Sequence, residues 1–362
     1  MATSPNPITI RRVRSDDAQA LYDFFAALSP ASRQTFAPFG QRPTLSQYED
    51  VVYGNTLVTG TSEVPVTYTD DKYDLVAVAD GHIVGWGFAW ALQSTASHEP
   101  VFGLAVADAY HSQGLGGRLM DGVLDEMRLR GLDKLYLTVV TDNAKAWGLY
   151  GRRGFTRYGA FVGTDGLPYY RMVARPGATP QENTHMQWLN EPTTWLQDGD
   201  VLTVTTNPKS DFWRKTHYGF VRDNGHFYHQ GVTGDFTAEV KVTGSYHDLY
   251  DHAGIMLRLD ETTWIKCGVE FYEGMQHISA VVTRDYSDWS IIPAPHNPPA
   301  FWLRVKRMGN AVEIHYSFDG VQYSMMRQAH LTLEPTLSVG PMCASPEGNG
   351  FEVRFEGYRI NT

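Results

Sequence analysis

The chain has 362 residues, 42% of them hydrophobic and 19% charged, and a formal net charge of −10 at pH 7. This composition excludes a disordered or low-complexity protein, and the length suits two domains better than one. No secretory leader or apolar run of membrane length is present. The two cysteines, Cys267 and Cys343, show no metal spacing, so a cytoplasmic protein with free thiols, no membrane contact and no metal centre is expected.

In chain order, residues 8–13 read as a strand, and Ser15 is placed to cap a helix running to Leu28 with Leu21, Phe24 and Phe25 inward. Residues 75–79 and 83–91 form a hairpin about Asp80-Gly81, whereas 30–73 show no clean periodicity. Next come an apolar strand at 101–106 and the string His111-Ser112-Gln113-Gly114-Leu115-Gly116-Gly117-Arg118. From there Leu115, Leu119, Val123 and Met127 recur every four residues until Gly131 stops the helix. A strand that runs into a glycine-rich turn opening a helix leaves several N–H groups aimed at one point, beside the positive end of the helix dipole. That arrangement suits a pyrophosphate. The spacing is neither the dinucleotide fingerprint nor a nucleotide P-loop, so the phosphate belongs to another cofactor.

After the strand Leu135–Val140 stands Asn143-Ala144-Lys145-Ala146-Trp147-Gly148-Leu149-Tyr150, followed by Arg153-Gly154-Phe155 opening another strand. The two ordered motifs closely resemble GNAT-type N-acetyltransferases, over residues about 8 to 175. The resemblance implies an α/β (α+β) domain with a mixed, splayed sheet, and acetyl-CoA held where the 101–106 strand parts from Leu135–Val140. It implies contacts from the stretch Leu104, Ala105 and Val106 to the pantetheine arm and thioester carbonyl. His111, Ser112, Gln113, Gly114, Leu115, Gly116 and Gly117 would hold the pyrophosphate, with Gly116 where only a small residue fits. Asn143 would touch the pantetheine, and Tyr150 would face the sulfur. Position 111 departs from the family, which usually carries Arg or Gln there; the backbone part of the cradle does not depend on it.

Acyl transfer to an amine needs a deprotonated amine, donors for the oxygen that gains charge, and an acid for the leaving thiolate. Tyr150 is the expected acid. For the base, the family position near the start of the splayed strand is occupied by Pro100, so Glu99 immediately before it, or a water relay, is expected. Residues 30–73 fall where the acceptor-binding helices of this fold lie, so they are expected to set the choice of amine, small-molecule or peptide.

Residues 169–174 read as the last strand of the first domain, and 176–185 have the proline, glycine and polar content of a linker, which gives domains 1–175 and 186–362. Residues 1–175 hold 16 Lys/Arg against 18 Asp/Glu, net −2, and the remainder 14 against 22, net −8. The acidic second half argues against nucleic acid as a partner. There the pattern becomes strands throughout, at 236–242, 253–259, 263–271, 277–283, 301–306 and 312–318, as expected of a β-sandwich.

Alternation puts Ile255, Leu257, Leu259, Ile265, Cys267, Val269, Phe271, Ile278, Phe301 and Leu303 in the core. It puts Arg258, Trp264, Lys266, Glu270, Trp302 and Arg304 on outward faces, where exposed indoles beside charges compose a sugar-binding or other ligand-binding groove. The half also resembles the DUF1349 family with its concanavalin A-like sandwich, on 250–258, 264–270 and 282–290. The expected protein is therefore an acetyl-CoA-dependent N-acetyltransferase whose sandwich meets substrate, a carbohydrate, a protein partner or a second copy of the chain. The competing class is an acetyl-CoA-sensing or carbohydrate-binding regulator with little turnover.

Overall fold

The computed structural model describes residues 8–53, 57–58, 67–93, 100–177 and 186–362. The chain divides into two compact units, Met1–Tyr158 with Leu167–Gln181, and Gly159–Gly166 with Glu182–Thr362. No helix among the described residues is long and apolar enough to cross a membrane.

In the first unit the elements are β1 (Thr9–Arg12), α1 (Ala18–Ala27), α2 (Pro30–Thr35), α3 (Leu45–Tyr53), β2 (Leu57–Val58), β3 (Thr67–Ala79), β4 (His82–Gln93), β5 (Pro100–Val106), α4 (Leu115–Leu129), β6 (Leu135–Val140), α5 (Ala144–Gly151), the start of β7 (Thr156–Val162), whose residues from Gly159 on belong to the second unit, and β8 (Pro168–Ala174). Ser15 does not cap α1. The Asp17 carboxylate accepts the Arg14 N–H at 2.7 Å and is gripped by Arg11 at 2.6 and 2.8 Å, which folds 14–17 into a turn and delays the helix to Ala18. The β3–β4 hairpin turns at Asp80 and Gly81, both at positive φ, as the Asp-Gly pair requires. Residues 30–73 carried no readable period because α2 is six residues long with none buried, and α3 buries only Tyr48 and Val51.

The sheet order β1-β3-β4-β5-β6-β8 is antiparallel throughout except for β5 and β6, which run parallel. One face packs Leu21, Phe24, Phe25 and Tyr48 of α1 and α3 on Trp86, Phe88 and Trp90. The other packs Leu115, Leu119, Val123 and Met127 of α4, with Tyr150 of α5, on Phe102, Leu137 and Val139. A mixed, splayed sheet with helices on both faces is thus present.

The second unit is antiparallel β. One of its sheets runs Tyr286–Pro293, Met275–Arg284, Thr263–Tyr272, His252–Arg258, Thr336–Ala344, His226–Thr233, Gln187–Leu189. The other runs Thr194–Asp198, Val201–Thr205, Glu352–Asn361, Phe236–Gly244, Phe301–Met308, Ala311–Ser317, Ser324–His330. Val269 and Ile278 of the first sheet meet Phe301 of the second, so the inner faces read from alternation do form the core. Leu259 is an exception at 38% exposed, because its strand ends at Arg258.

The outer face of the first sheet is closed, contrary to expectation. A hairpin of Phe212–Arg214 and Val221–Asp223 lies over it, and Phe212 packs with Trp264, Met256 and Val281. Trp264 is 0% exposed.

Candidate active site

The β5–β6 ladder consists of the single pair Val101–Tyr136. Beyond it the strands part. On the other side β5 stays paired with β4 through Val106, and the Ala107 N–H donates to the Val84 carbonyl at 2.9 Å. That bond fixes the register: Gly103, Ala105 and Ala107 turn their N–H groups to β4, so Leu104 and Val106 turn theirs into the opening. Ala105 therefore serves the strand and not the opening. Gly103 is required by packing, since a Cβ there would enter the Phe88 ring.

At the far end of β5 the chain makes a short 3-10 turn, Asp108–Tyr110, then enters α4 with Ser112 and Gly114 at φ of 62° and 77°. Gly114 is the N-cap and has no side chain to offer, so the first N–H groups of α4, from Leu115 to Gly117, stay open for an anion. A left-handed φ favours glycine at 114. At 116 a Cβ would meet Leu104, Leu149 and Val106 at 3.6–3.7 Å, ordinary contact, so the expectation that only a small residue fits there is not supported by the packing. The His111 Nε2 lies 2.9 Å from the Val106 carbonyl, which ties the imidazole back to β5, and Gln113 donates to the Ala109 carbonyl at 3.0 Å.

Asn143 caps α5, its Oδ1 accepting the Ala146 N–H at 3.2 Å. Two turns on, Tyr150 is 9% exposed and packs edge-on to Phe102 with centroids 6.1 Å apart. Burial pushes its phenol up to about 12. Among the described residues its hydroxyl has no hydrogen-bond partner. The expected base, Glu99, lies outside the described residues. A carboxylate the sequence reading passed over is Asp74 on β3, buried beneath α1 and α3, where it accepts the indole N–H groups of Trp86 at 2.9 Å and Trp90 at 3.1 Å. Burial raises it to about 6. Its signal was an acid standing directly before the apolar run Leu75–Ala79.

The six residues read as one groove in the sandwich do not share a surface. Trp302 and Arg304 stand on the outer face of one sheet, over a shallow pocket with Glu239, Lys241 and Tyr323, where Arg304 ion-pairs with Glu239. Arg258, Trp264, Lys266 and Glu270 stand on the outer face of the other sheet and are buried under the hairpin. Arg258 is an anchor for that cover, gripping Asp223 at 2.7 and 2.8 Å. Alternation gave the correct face for each strand but could not see the hairpin on top. His226 is a satisfied core histidine, bonded to Asn207 N–H at 2.9 Å and Asn190 carbonyl at 2.6 Å. His247, Asp248 and Asp251 bring ligand atoms within 4.8 Å of one another, yet Asp251 is spent on the N–H groups of 247 and 248 and on Ser345.

Residues 188–362 match the family model described as "Protein of unknown function (DUF1349)". The Saccharomyces cerevisiae regulation of enolase protein 1 is 40% identical over 173 residues, 48% of this chain and 87% of that one. The chain belongs to the DUF1349 family. Ahead of its DUF1349 domain it carries a GNAT acetyltransferase domain, matched at residues 43–155, of a family that uses acetyl-CoA. Within that domain, the Escherichia coli enzyme that acetylates the alanine of ribosomal protein bS18 is 39% identical over 80 residues, 21% of this chain and 54% of the enzyme. A Salmonella typhimurium protein assigned as an acetyltransferase and solved with acetyl-CoA is 20% identical, with a TM-score of 0.38, over 49% of this chain and 99% of that one.

Proposed function

We propose that the chain is an N-acetyltransferase that passes an acetyl group from acetyl-CoA to a primary amine by direct attack, and that the DUF1349 domain contributes recognition of substrate, glycan or partner. The observation that carries the reading is the one-pair ladder between β5 and β6, which opens the Leu104 and Val106 amides beside the uncapped start of α4. Those residues fit the cofactor: an anion cradle, and two donors one strand-step apart for an amide-rich arm. When bound, acetyl-CoA supplies an activated acetyl thioester.

The N–H groups of 112–117 hold the diphosphate, and the Leu104 and Val106 amides align the arm and donate to the oxygen that gains charge. The Asn143 carboxamide, its oxygen committed to the cap, offers its N–H₂ group to the arm. Tyr150 directs a phenol O–H at the sulfur. The base that takes the amine proton is Glu99 or a water held near it. Phe102 and Phe155 pack against the Tyr150 ring and hold it in place.

The deciding experiment measures free-thiol release from acetyl-CoA across amino acids, polyamines, amino sugars and peptide N-termini. Amine-dependent release with an acetylated product supports the reading; saturable acetyl-CoA binding without release on any amine replaces it by the sensing role. The cradle gives a second measurement, the rise in melting temperature on adding coenzyme A. Gly116→Ala is expected to keep that rise, since a methyl group has room, and Gly116→Asp to abolish it by setting a carboxylate against the diphosphate. An undiminished rise in Gly116→Asp would move the diphosphate elsewhere.

A further inference from the structure

The sheet that carries Phe236–Gly244 and Phe301–Met308 holds an open cavity of about 250 Å³ on its outer face, lined by Glu239, Lys241, Trp302, Tyr323 and Glu356. A β-bulge builds it. Across the ladder to Glu352–Asn361, Glu239 faces Arg359 and Lys241 faces Glu356, so Val240 is opposed by two residues, Gly357 and Tyr358. Residues three apart on a regular strand point to opposite faces. The extra residue turns both Glu356 and Arg359 outward, where Lys241 meets Glu356 at 2.9 Å and Arg359 pairs with Glu239. Gly357, at a φ of 62°, takes the left-handed position of the bulge and donates its N–H to the Asp200 carbonyl at 3.1 Å, which brings Asp200 to the cavity wall.

The aromatic wall is fixed in place. Trp302 pairs in register with Lys241 on one neighbouring strand and with Ser317 on the other. Ser317 Oγ donates to the Asp319 carboxylate at 2.8 Å, and that carboxylate accepts the Val321 and Gln322 N–H groups at 2.8 and 2.9 Å, which fixes the turn carrying Gly320. A Cβ at Gly320 would strike the Trp302 indole, so the backbone itself seats one edge of the ring. Arg304 lies 3.7 Å over the Tyr323 ring, and the Lys241 ammonium 5.6 Å over that of Trp302. Side chains already ordered in this way lose little entropy when a ligand arrives.

The charges select the ligand. Asp200, Glu239 and Glu356 stand against Lys241, Arg304 and Arg359, so the cavity is neutral as a whole. An added cation finds both rings already faced by Arg304 and Lys241, and an added anion meets three carboxylates. A purely apolar molecule would cut the ion pairs off from water with nothing in return. A neutral molecule with adjacent hydroxyls fits. In the Lys241–Glu356 pair a donor and an acceptor stand side by side, and neighbouring hydroxyls, each both donor and acceptor, match them. The apolar C–H face of the same molecule suits the indole.

We propose that this cavity is where the DUF1349 domain binds a neutral sugar ring, with the C–H face of the ring on Trp302 and adjacent hydroxyls on Lys241 and Glu356. Such a site rests on the recognition role proposed for the domain and not on acetyl transfer. The cavity opens to solvent beside Asp200 and Arg359, both of them exposed.

The test uses the full chain and calorimetric titration with glucose, galactose, mannose, N-acetylglucosamine and their β-linked disaccharides, to about 10 mM, where a site of millimolar affinity is half-filled or better. Spermidine and inorganic phosphate serve as charged probes. At least one sugar is expected to bind saturably and to change tryptophan fluorescence, with neither charged probe displacing it. Trp302→Ala and Glu356→Gln are each expected to weaken that binding by about tenfold or more. Tyr286→Ala, which removes an exposed ring from the other sheet, should bind as the native chain does. A sugar bound equally well by Trp302→Ala and Glu356→Gln, or lost in Tyr286→Ala, would overturn the site while leaving the glycan role. Saturable binding of spermidine or phosphate in place of the sugars, sensitive to the same two substitutions, would overturn the neutral ligand; no binding by any sugar would overturn the site and the glycan role together. Should Trp302→Ala fail to fold, Glu356→Gln alone decides.

Discussion

Val269→Asp is expected to unfold the DUF1349 domain. Val269 is 0% exposed between the sheets and packs on Ile278 and Phe301. A buried acid without a partner costs several kcal/mol whether it ionises or takes up a proton, enough to consume most of the roughly 5–15 kcal/mol by which domains are stable. Urea titration followed by near-ultraviolet circular dichroism would show the transition lost or moved to far lower denaturant. The comparison variant is Trp264→Ala. As an exposed groove residue it would cost little, but under the hairpin it should cost about 3–5 kcal/mol, because the cavity left beside Phe212 and Met256 cannot collapse between two strands and a cover. A native-like midpoint for Trp264→Ala would show that the hairpin does not close over it.

Tyr150→Phe should lower kcat by about ten- to a thousandfold with little change in coenzyme A affinity. The ring and its contacts with Phe102 and Phe155 survive the change, so folding is nearly unaffected and the loss is that of one hydroxyl. Burial raises the phenol to about 12, above its ordinary 10. A thiol of pKa about 8–9 is the stronger acid, so Tyr150 stabilises the departing sulfur chiefly as a hydrogen-bond donor. The sign of the shift has a second consequence: the donor is intact at every pH below about 12, so it adds no alkaline limb to the pH–rate profile in the ordinary assay range. A kcat equal to that of the native enzyme would remove Tyr150 from the chemistry.

The first domain was legible where local pattern and tertiary need coincide. The 115–127 periodicity and the Asp80-Gly81 turn each have a cause within a few residues. The splay between β5 and β6 has none, and was reached only through the family resemblance. In the sandwich, alternation fixed the inner faces at Ile255, Cys267 and Val269 but misjudged what covers the outer ones, since burial of Trp264 and Lys266 depends on a hairpin some fifty residues earlier. Strands such as Phe212–Arg214 and Val221–Asp223 are too short for a period to show. His252 gives no signal in the sequence, which can report a neighbour's identity but not the lack of one.

Three glycines within strands of the sandwich, Gly254, Gly268 and Gly340, limit how the sheet can vary. A Cβ at Gly254 would strike the Cys267 carbonyl, one at Gly268 the Ala253 carbonyl, and one at Gly340 the Tyr228 carbonyl, so the added atom points along the sheet at the next strand and not out from its face. Side-chain repacking cannot absorb it. Even alanine at these positions requires two strands to move apart, which would stretch the backbone ladder between them. The glycines thus act as a ruler for the distance between the strands they face.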